Sequence, residues 1–134
     1  MKDQEKLLEK AFLALTHAYA PYSGFQVGAC IKTRDGNYIL GANIENAAYG
    51  STNCAERSAV FAAYSQGYRK EDIEGLAIVT RAQQLTPPCG ACRQVLSELL
   101  GQETPILLSN GKETVETNIA KLLPDSFGAK DLDK

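Results

Sequence analysis

The sequence has little of what nucleic-acid-binding, secreted and membrane proteins carry. Its 134 residues include 14 Lys or Arg against 16 Asp or Glu, for a formal net charge of -2, and no basic block occurs. A polynucleotide partner is therefore disfavoured, because it normally requires a basic stripe that replaces counterions. The first ten residues (MKDQEKLLEK) contain no apolar stretch of the signal-peptide kind, and no apolar run approaches the roughly 18 residues of a membrane helix. We therefore expect a cytoplasmic protein, in which thiols stay reduced and available to metal.

Internal repeats, low-complexity segments and linkers are also absent, so we expect residues 1–134 to form one domain. The hydrophobic pattern predicts the following elements: helices over 4–19, 55–68 and 89–100, strands over 25–33, 38–45, 76–80, 105–108 and 114–117, and a short amphipathic stretch from Ile119 to Leu123. In the first helix, the stripe is Leu8, Phe12, Leu15 and Tyr19. Because strand–helix–strand crossovers place helices on a sheet, this order predicts a three-layer α/β/α sandwich around a mixed five-stranded sheet.

Three of the four cysteines fall in two short segments, NCAER at 53–57 and PPCGAC at 87–92, and each segment opens a predicted helix. Cys89 and Cys92 are three residues apart, so at a helix start their side chains can converge on one ion. Three thiolates can hold zinc and leave a fourth position open for water, which is the layout of a catalytic site. Glu56 follows closely and is placed to handle the protons of that water.

Cys54 and Glu56 can address one ion only under a geometric condition. Residues two apart in an ideal helix differ by about 200° in direction, so Cys54 must precede the regular helix. Both cysteine segments would then present helix N-termini, whose positive dipole ends favour thiolates. The neighbouring Arg57 either donates hydrogen bonds to the thiolates or lies on a solvated helix surface.

Two other classes of protein share part of this pattern. A CxxC at a helix start also occurs in redox proteins, although that interpretation leaves Cys54, Glu56 and Arg57 unexplained. A structural zinc module would need a fourth protein ligand. Cys30 lies in the apolar run VGACI and is expected in the core, and His17, the one histidine, is expected at the surface.

Two segments that carry these three cysteines, NCAERSAV at 53–60 and PCGACRQVLSEL at 88–99, resemble the small zinc-dependent cytidine deaminases. The resemblance extends to three further segments: APYSGFQVGA at 20–29, GANIENAAYG at 41–50 and LLPDSFG at 122–128. Because these segments reach from the first helix almost to the C-terminus, the resemblance covers the whole domain and implies a cytidine deaminase-like fold.

The resemblance implies a hydrolase of pyrimidine salvage that converts cytidine and 2′-deoxycytidine to uridine and 2′-deoxyuridine plus ammonia. One Zn²⁺ per subunit would be held by Cys54, Cys89 and Cys92. Zinc-bound hydroxide would attack C4 of the base, with Glu56 as the proton shuttle. Within this class, a related aminopyrimidine nucleoside such as blasticidin S is the alternative substrate.

The resemblance also implies the substrate-binding residues. Asn43 and Glu45 would hydrogen-bond the ribose hydroxyls, which favours cytidine over blasticidin S; they lie two apart near a strand end and share one face. Phe25 would line the base pocket, and Ala55 is a further substrate-binding position. Phe127 would reach the base from a neighbouring subunit, since family members of this length with three cysteine ligands are homotetramers with shared active sites.

Overall fold

The computed structural model describes residues 2–132, and all three predicted helices and five predicted strands form there. Their bounds in chain order are α1 (Lys2–Leu15), β1 (Gly28–Thr33), β2 (Tyr38–Ala42), α2 (Ala55–Ser65), β3 (Ile73–Val79), α3 (Gly90–Leu99), β4 (Ile106–Ser109), β5 (Thr114–Thr117) and α4 (Ile119–Leu122). Short 3-10 helices cover Tyr49–Ser51, Lys70–Asp72 and Ala129–Leu132.

The strands form one sheet in the order β2-β1-β3-β4-β5. β3 and β4 are parallel and are joined through α3, whereas the other three neighbouring pairs are antiparallel. A parallel pair requires a crossover, and α3 supplies it. The predicted mixed five-stranded sheet is therefore confirmed.

Side chains alternate between the two faces of the sheet and divide the core into two parts. In β3, Leu76 and Ile78 pack in the cluster that holds the buried residues of α2 and α3, whereas Ala77 and Val79 pack in the cluster beneath α1. The predicted three-layer α/β/α sandwich is therefore confirmed. Across residues 2–132, the structure contains no helix with the length and apolar character needed to cross a membrane.

The first helix ends four residues earlier than predicted, and Tyr19 is not part of it. The Tyr19 N–H donates to the Asn43 carbonyl at 2.9 Å, and the Tyr19 carbonyl accepts from the Glu45 N–H at 2.8 Å. This pairing, with residues distant in sequence, draws the chain out of the helix and leaves Tyr19 55% exposed. The buried face of α1 consists of Leu7, Ala11, Ala14 and Leu15.

The predicted start of the first strand is also wrong. The Asn43 side chain uses the backbone hydrogen-bonding groups just before β1. Its Oδ1 accepts from the Val27 N–H at 2.9 Å, and its Nδ2 donates to the Phe25 carbonyl at 2.8 Å. Regular pairing therefore begins only at Gly28. Cys30 is fully buried and His17 is exposed, as predicted.

The helices approach the sheet most closely at two glycines. A Cβ at Gly28 would lie 2.2 Å from the Ala11 carbonyl oxygen of α1. A Cβ at Gly41 would lie 2.4 Å from the Ala59 nitrogen and 2.5 Å from the Ala55 carbonyl oxygen, both in α2. Contacts this short exclude a side chain, so the helix backbones lie directly on the strands at these positions.

Candidate active site

The three predicted ligand cysteines meet at the starts of α2 and α3. Their sulfur atoms all lie within 4.8 Å of one another, and the Sγ atoms of Cys54 and Cys89 are 3.9 Å apart. Cys54 precedes α2 with extended backbone (φ -77°, ψ 157°), and Cys89 precedes α3 in the same way (φ -69°, ψ 169°). Cys54 therefore meets the condition that lets it share an ion with the side chain of Glu56.

Within the part of the chain that the structure describes, no fourth His, Cys, Asp or Glu joins this group of ligand atoms. A closed structural zinc site has four protein ligands, whereas a catalytic site keeps one position for water or substrate. The donor set therefore fits a zinc ion with an open coordination position.

Hydrogen bonds within the cluster shift the pKa values of Cys54 and Cys92 in opposite directions. The pKa of the Cys54 thiol is lowered to about 5, because Cys92 and then Arg57 donate hydrogen bonds to its thiolate. The pKa of Cys92 is raised, since Cys92 is the donor to Cys54 and its thiol is buried. Three neighbouring thiolates would repel one another, and a bound cation would offset this repulsion; a thiol that coordinates a metal ion is deprotonated outright. The chemistry of the cluster thus fits a bound metal.

Arg57 lies against the cluster and not on a solvated helix surface. Its Nη2 donates to the Cys54 Sγ at 3.4 Å. Its Nε is buried and, among residues 2–132, has no hydrogen-bond partner. A half-buried guanidinium beside the sulfurs of Cys54 and Cys92 can offset the excess negative charge of a trithiolate site.

Glu56 lies in the first turn of α2 and is only 4% exposed. Burial raises the pKa of its carboxyl group, and the negative charge of Cys54 raises it further. A carboxyl group with a raised pKa, next to a metal site, can both accept and return a proton.

A cavity of about 280 Å³ opens beside Glu56 and the cluster. Its walls include four predicted substrate-binding residues, namely Phe25, Asn43, Glu45 and Ala55, together with Cys54 and Cys89. Ser23, Thr86 and Pro87 also line it and were missed by the sequence analysis, although Ser23 lies in a matched segment.

A larger cavity, of about 530 Å³, lies at the opposite ends of β3 and β4. It contains none of the cysteines, and its Glu74 is paired with Lys32 at 2.6 Å and with Arg34 at 3.7 Å. The chemistry therefore favours the smaller cavity as the active site.

Glu45 is held by the chain segment that precedes Phe25. Its carboxylate accepts hydrogen bonds from the backbone N–H groups of Tyr22, at 3.0 Å, and Ser23, at 3.1 Å. The Ser23 hydroxyl donates to the same carboxylate. These donors lower the pKa of Glu45, the Ser23 hydroxyl most of all, so the side chain is anionic at neutral pH.

Phe127 does not line the cavity of its own chain. It borders a shallow depression near the C-terminal residues, where Gln94 Nε2 donates to its carbonyl at 3.0 Å and its side chain is 58% exposed. A single chain therefore brings together the other predicted site residues and leaves Phe127 apart.

The chain is similar to known proteins over most of its length. Residues 1–107 match the cytidine and deoxycytidylate deaminase zinc-binding region. The chain is 48% identical over 131 residues to a cytidine deaminase of Halalkalibacterium halodurans, covering 97% of this chain and 98% of that protein.

The fold of the chain is also similar to that of solved structures. The crystal structure of a cytidine deaminase from Burkholderia pseudomallei superposes with a TM-score of 0.88 at 44% identity, covering 92% of this chain and 98% of that one. The corresponding enzyme of Mycobacterium tuberculosis superposes with a TM-score of 0.79 at 40% identity, covering 94% and 98%. With the sulfur cluster and its buried glutamate, these matches show that the chain belongs to the family of cytidine and deoxycytidylate deaminases.

Proposed function

We propose that this chain is a cytidine deaminase, which hydrolyses cytidine and 2′-deoxycytidine. Water adds to C4 of the base and ammonia leaves from the same carbon, giving uridine or 2′-deoxyuridine. The observation that carries the proposal is the convergence of three cysteine sulfurs with a buried carboxyl group on one cavity. The names of the curated relatives support the same reaction.

Cys54, Cys89 and Cys92 would hold one Zn²⁺ per subunit. Bound zinc supplies Lewis acidity that makes a water molecule nucleophilic near neutral pH. The half-buried Arg57 stabilises the thiolate form of Cys54 through its 3.4 Å contact. Three thiolates would give the centre a charge of -1, which the guanidinium offsets.

Glu56 would move the protons of the reaction. It accepts one from the attacking water, delivers a proton to N3 of the base, and helps to protonate the departing amine. Its burial supports this role, because the raised pKa lets one carboxyl group act as base and then as acid.

Asn43 and Glu45 would bind the ribose, and Phe25 and Ala55 would line the remainder of the substrate cavity. The Glu45 carboxylate can accept a hydrogen bond from a sugar hydroxyl, and its negative charge disfavours a nearby 5′-phosphate. We therefore assign an unphosphorylated nucleoside as the substrate, and place the reaction in pyrimidine salvage.

The experiment that tests this function follows the cytidine absorbance band after the purified protein is added. Loss of the band with cytidine and deoxycytidine is expected, as is inhibition by a zinc chelator and recovery on adding Zn²⁺. A protein that contains zinc but changes neither nucleoside would contradict the proposal. A protein without zinc that reduces disulfides would favour the redox alternative.

We further propose that residues 1–134 form one catalytic domain and that four copies assemble with shared active sites. The exposed Phe127 and the 81% exposed Tyr49 support an assembly that covers these aromatic side chains. We also propose a cytoplasmic location, because the reducing cytoplasm keeps a cluster of three thiols free of disulfides. Mixing two inactive variants, Glu56→Gln and Phe127→Ala, tests the shared site. Recovery of activity is expected, because some sites combine an intact Glu56 with a partner's intact Phe127.

A further inference from the structure

Ser23 connects two walls of the substrate cavity. Its hydroxyl donates to the Glu45 carboxylate and accepts a hydrogen bond from the Phe25 N–H at 3.0 Å. Its own N–H donates to the second carboxylate oxygen of Glu45 at 3.1 Å. One serine thus contacts both the proposed ribose ligand and the backbone of the proposed base-pocket residue.

We propose that Ser23 is a positioning residue that acts on the substrate sugar through Glu45. Glu45 is only partly buried, and its carboxylate would rotate among several rotamers if nothing fixed it. Three donors from the Tyr22–Ser23 segment approach it, and the Ser23 hydroxyl is the one that a side-chain substitution can remove. A carboxylate fixed in this way presents its remaining lone pairs in a constant direction for a sugar hydroxyl.

The backbone around Phe25 shows why this link matters for specificity. Asn43 holds the segment on the other side of Phe25, through the Val27 N–H and the Phe25 carbonyl. Phe25 therefore lies between two contacts that each lead to a proposed ribose ligand. Hydrogen bonds therefore join the proposed ribose ligands to the backbone of the base pocket, and Ser23 makes the link to the Glu45 carboxylate.

The inference depends on the proposed function, since Glu45 must bind a sugar hydroxyl. The test compares cytidine with 2′,3′-dideoxycytidine, which lacks the 2′- and 3′-hydroxyls and keeps the 5′-hydroxyl. The quantity measured is the discrimination ratio, kcat/KM for cytidine divided by kcat/KM for the dideoxy analogue. Ser23→Ala is expected to lower this ratio by about tenfold, mainly through a higher KM for cytidine, because a charge-assisted hydrogen bond to the sugar loses its orientation.

Three variants serve as controls. Ser23→Thr keeps the hydroxyl and is expected to restore the ratio. Ser65→Ala removes an exposed hydroxyl at the end of α2, away from the cavity, and is expected to leave it unchanged. In a Glu45→Ala background, Ser23→Ala should not lower the ratio further, because Glu45→Ala has already removed the hydrogen bond to the sugar that Ser23 orients.

The possible failures are distinct. If Ser23→Ala lowers kcat/KM equally for both nucleosides, or for neither, Ser23 does not act through Glu45 and the inference is wrong. A further fall of the ratio in the Glu45→Ala background would also overturn it. A wild-type protein that deaminates neither nucleoside refutes the proposed function itself. One that deaminates both equally well refutes the role of Glu45, and with it that of Ser23.

Discussion

Replacing Gly41 with alanine places a methyl group where α2 crosses β2. The new Cβ would lie 2.4 Å from the Ala59 nitrogen and 2.5 Å from the Ala55 carbonyl oxygen. Both are backbone atoms, so no side-chain rotation relieves the overlap and the helix must move by about 1 Å to reach ordinary contact. Overpacking of a core costs roughly 1–3 kcal/mol, and we expect the upper end of that range, about 3 kcal/mol.

Gly75 provides a control, since it is also a buried glycine within a strand; it lies in the central strand β3, whereas Gly41 lies in the edge strand β2. A Cβ at Gly75 would meet the Leu7 side chain at 3.5 Å and the Pro105 carbonyl oxygen at 3.7 Å, which are ordinary contacts. Gly75→Ala is therefore expected to change the free energy of unfolding by less than about 1 kcal/mol, and to stabilise if anything, because it restricts the unfolded chain.

The assay is urea unfolding followed by circular dichroism, with all variants at the same protein and zinc concentrations because assembly and metal binding shift apparent stability. A loss of 3 kcal/mol corresponds to a fall in Tm of about 10 °C for a chain of this size. Gly41→Ala should also lose activity, since α2 carries Glu56 and begins at Cys54. A Gly41→Ala protein as stable as Gly75→Ala would refute this account of the α2–β2 contact.

Three further predictions concern the site. Glu56→Gln should retain zinc by metal analysis but lower kcat by about 10²- to 10⁴-fold, the usual contribution of a proton-transfer group; near-normal turnover would contradict the shuttle role. Arg57→Ala should weaken zinc retention in a chelator competition by about 10- to 100-fold, the usual effect of losing a contact to a metal ligand. Arg69→Ala is the control: it removes a guanidinium 5.0 Å from the Tyr64 ring and is expected to leave zinc retention unchanged. Hydrogen bonds from Ser23 lower the pKa of Glu45 in the folded state below its ordinary value of 4.5. Ionised Glu45 therefore stabilises the folded chain above pH 4.5, and this stabilisation is lost as the pH falls through the folded-state pKa. The free energy of unfolding of Glu45→Gln should thus vary less with pH in this acidic range; an unchanged slope would argue against the contact.

Local patterns predicted the elements and the metal cluster well, because the relevant information lies within short segments. Cys89 and Cys92 converge through helix geometry alone, and the loop before Cys54 allowed an extended residue there. The end of α1 depended instead on backbone pairing between Tyr19 and residues 43–45, which no local pattern contains.

The cavity proposed to bind substrate was predicted less completely, for the same reason. Ser23 and Glu45 are 22 residues apart, and their contact exists only once the first two strands bring the segments together. The resemblance supplied Glu45 as a ligand but gave no role to Ser23. Phe127 illustrates a second limit, since its proposed place in the site requires another copy of the chain.

The fourth cysteine gives this protein a chemical indicator of its own unfolding. Cys30 belongs to β1 and is fully buried beneath α1, and burial raises the pKa of its thiol to about 12. Since thiolates are the species that react with alkylating reagents, Cys30 stays inert while α1 covers it. Cys89 is exposed and Cys54 is half-buried, so a reagent that modifies them reports on the occupancy of the metal centre. Modification of Cys30 reports instead that the helix has left the sheet, which allows the two events to be timed separately in one sample.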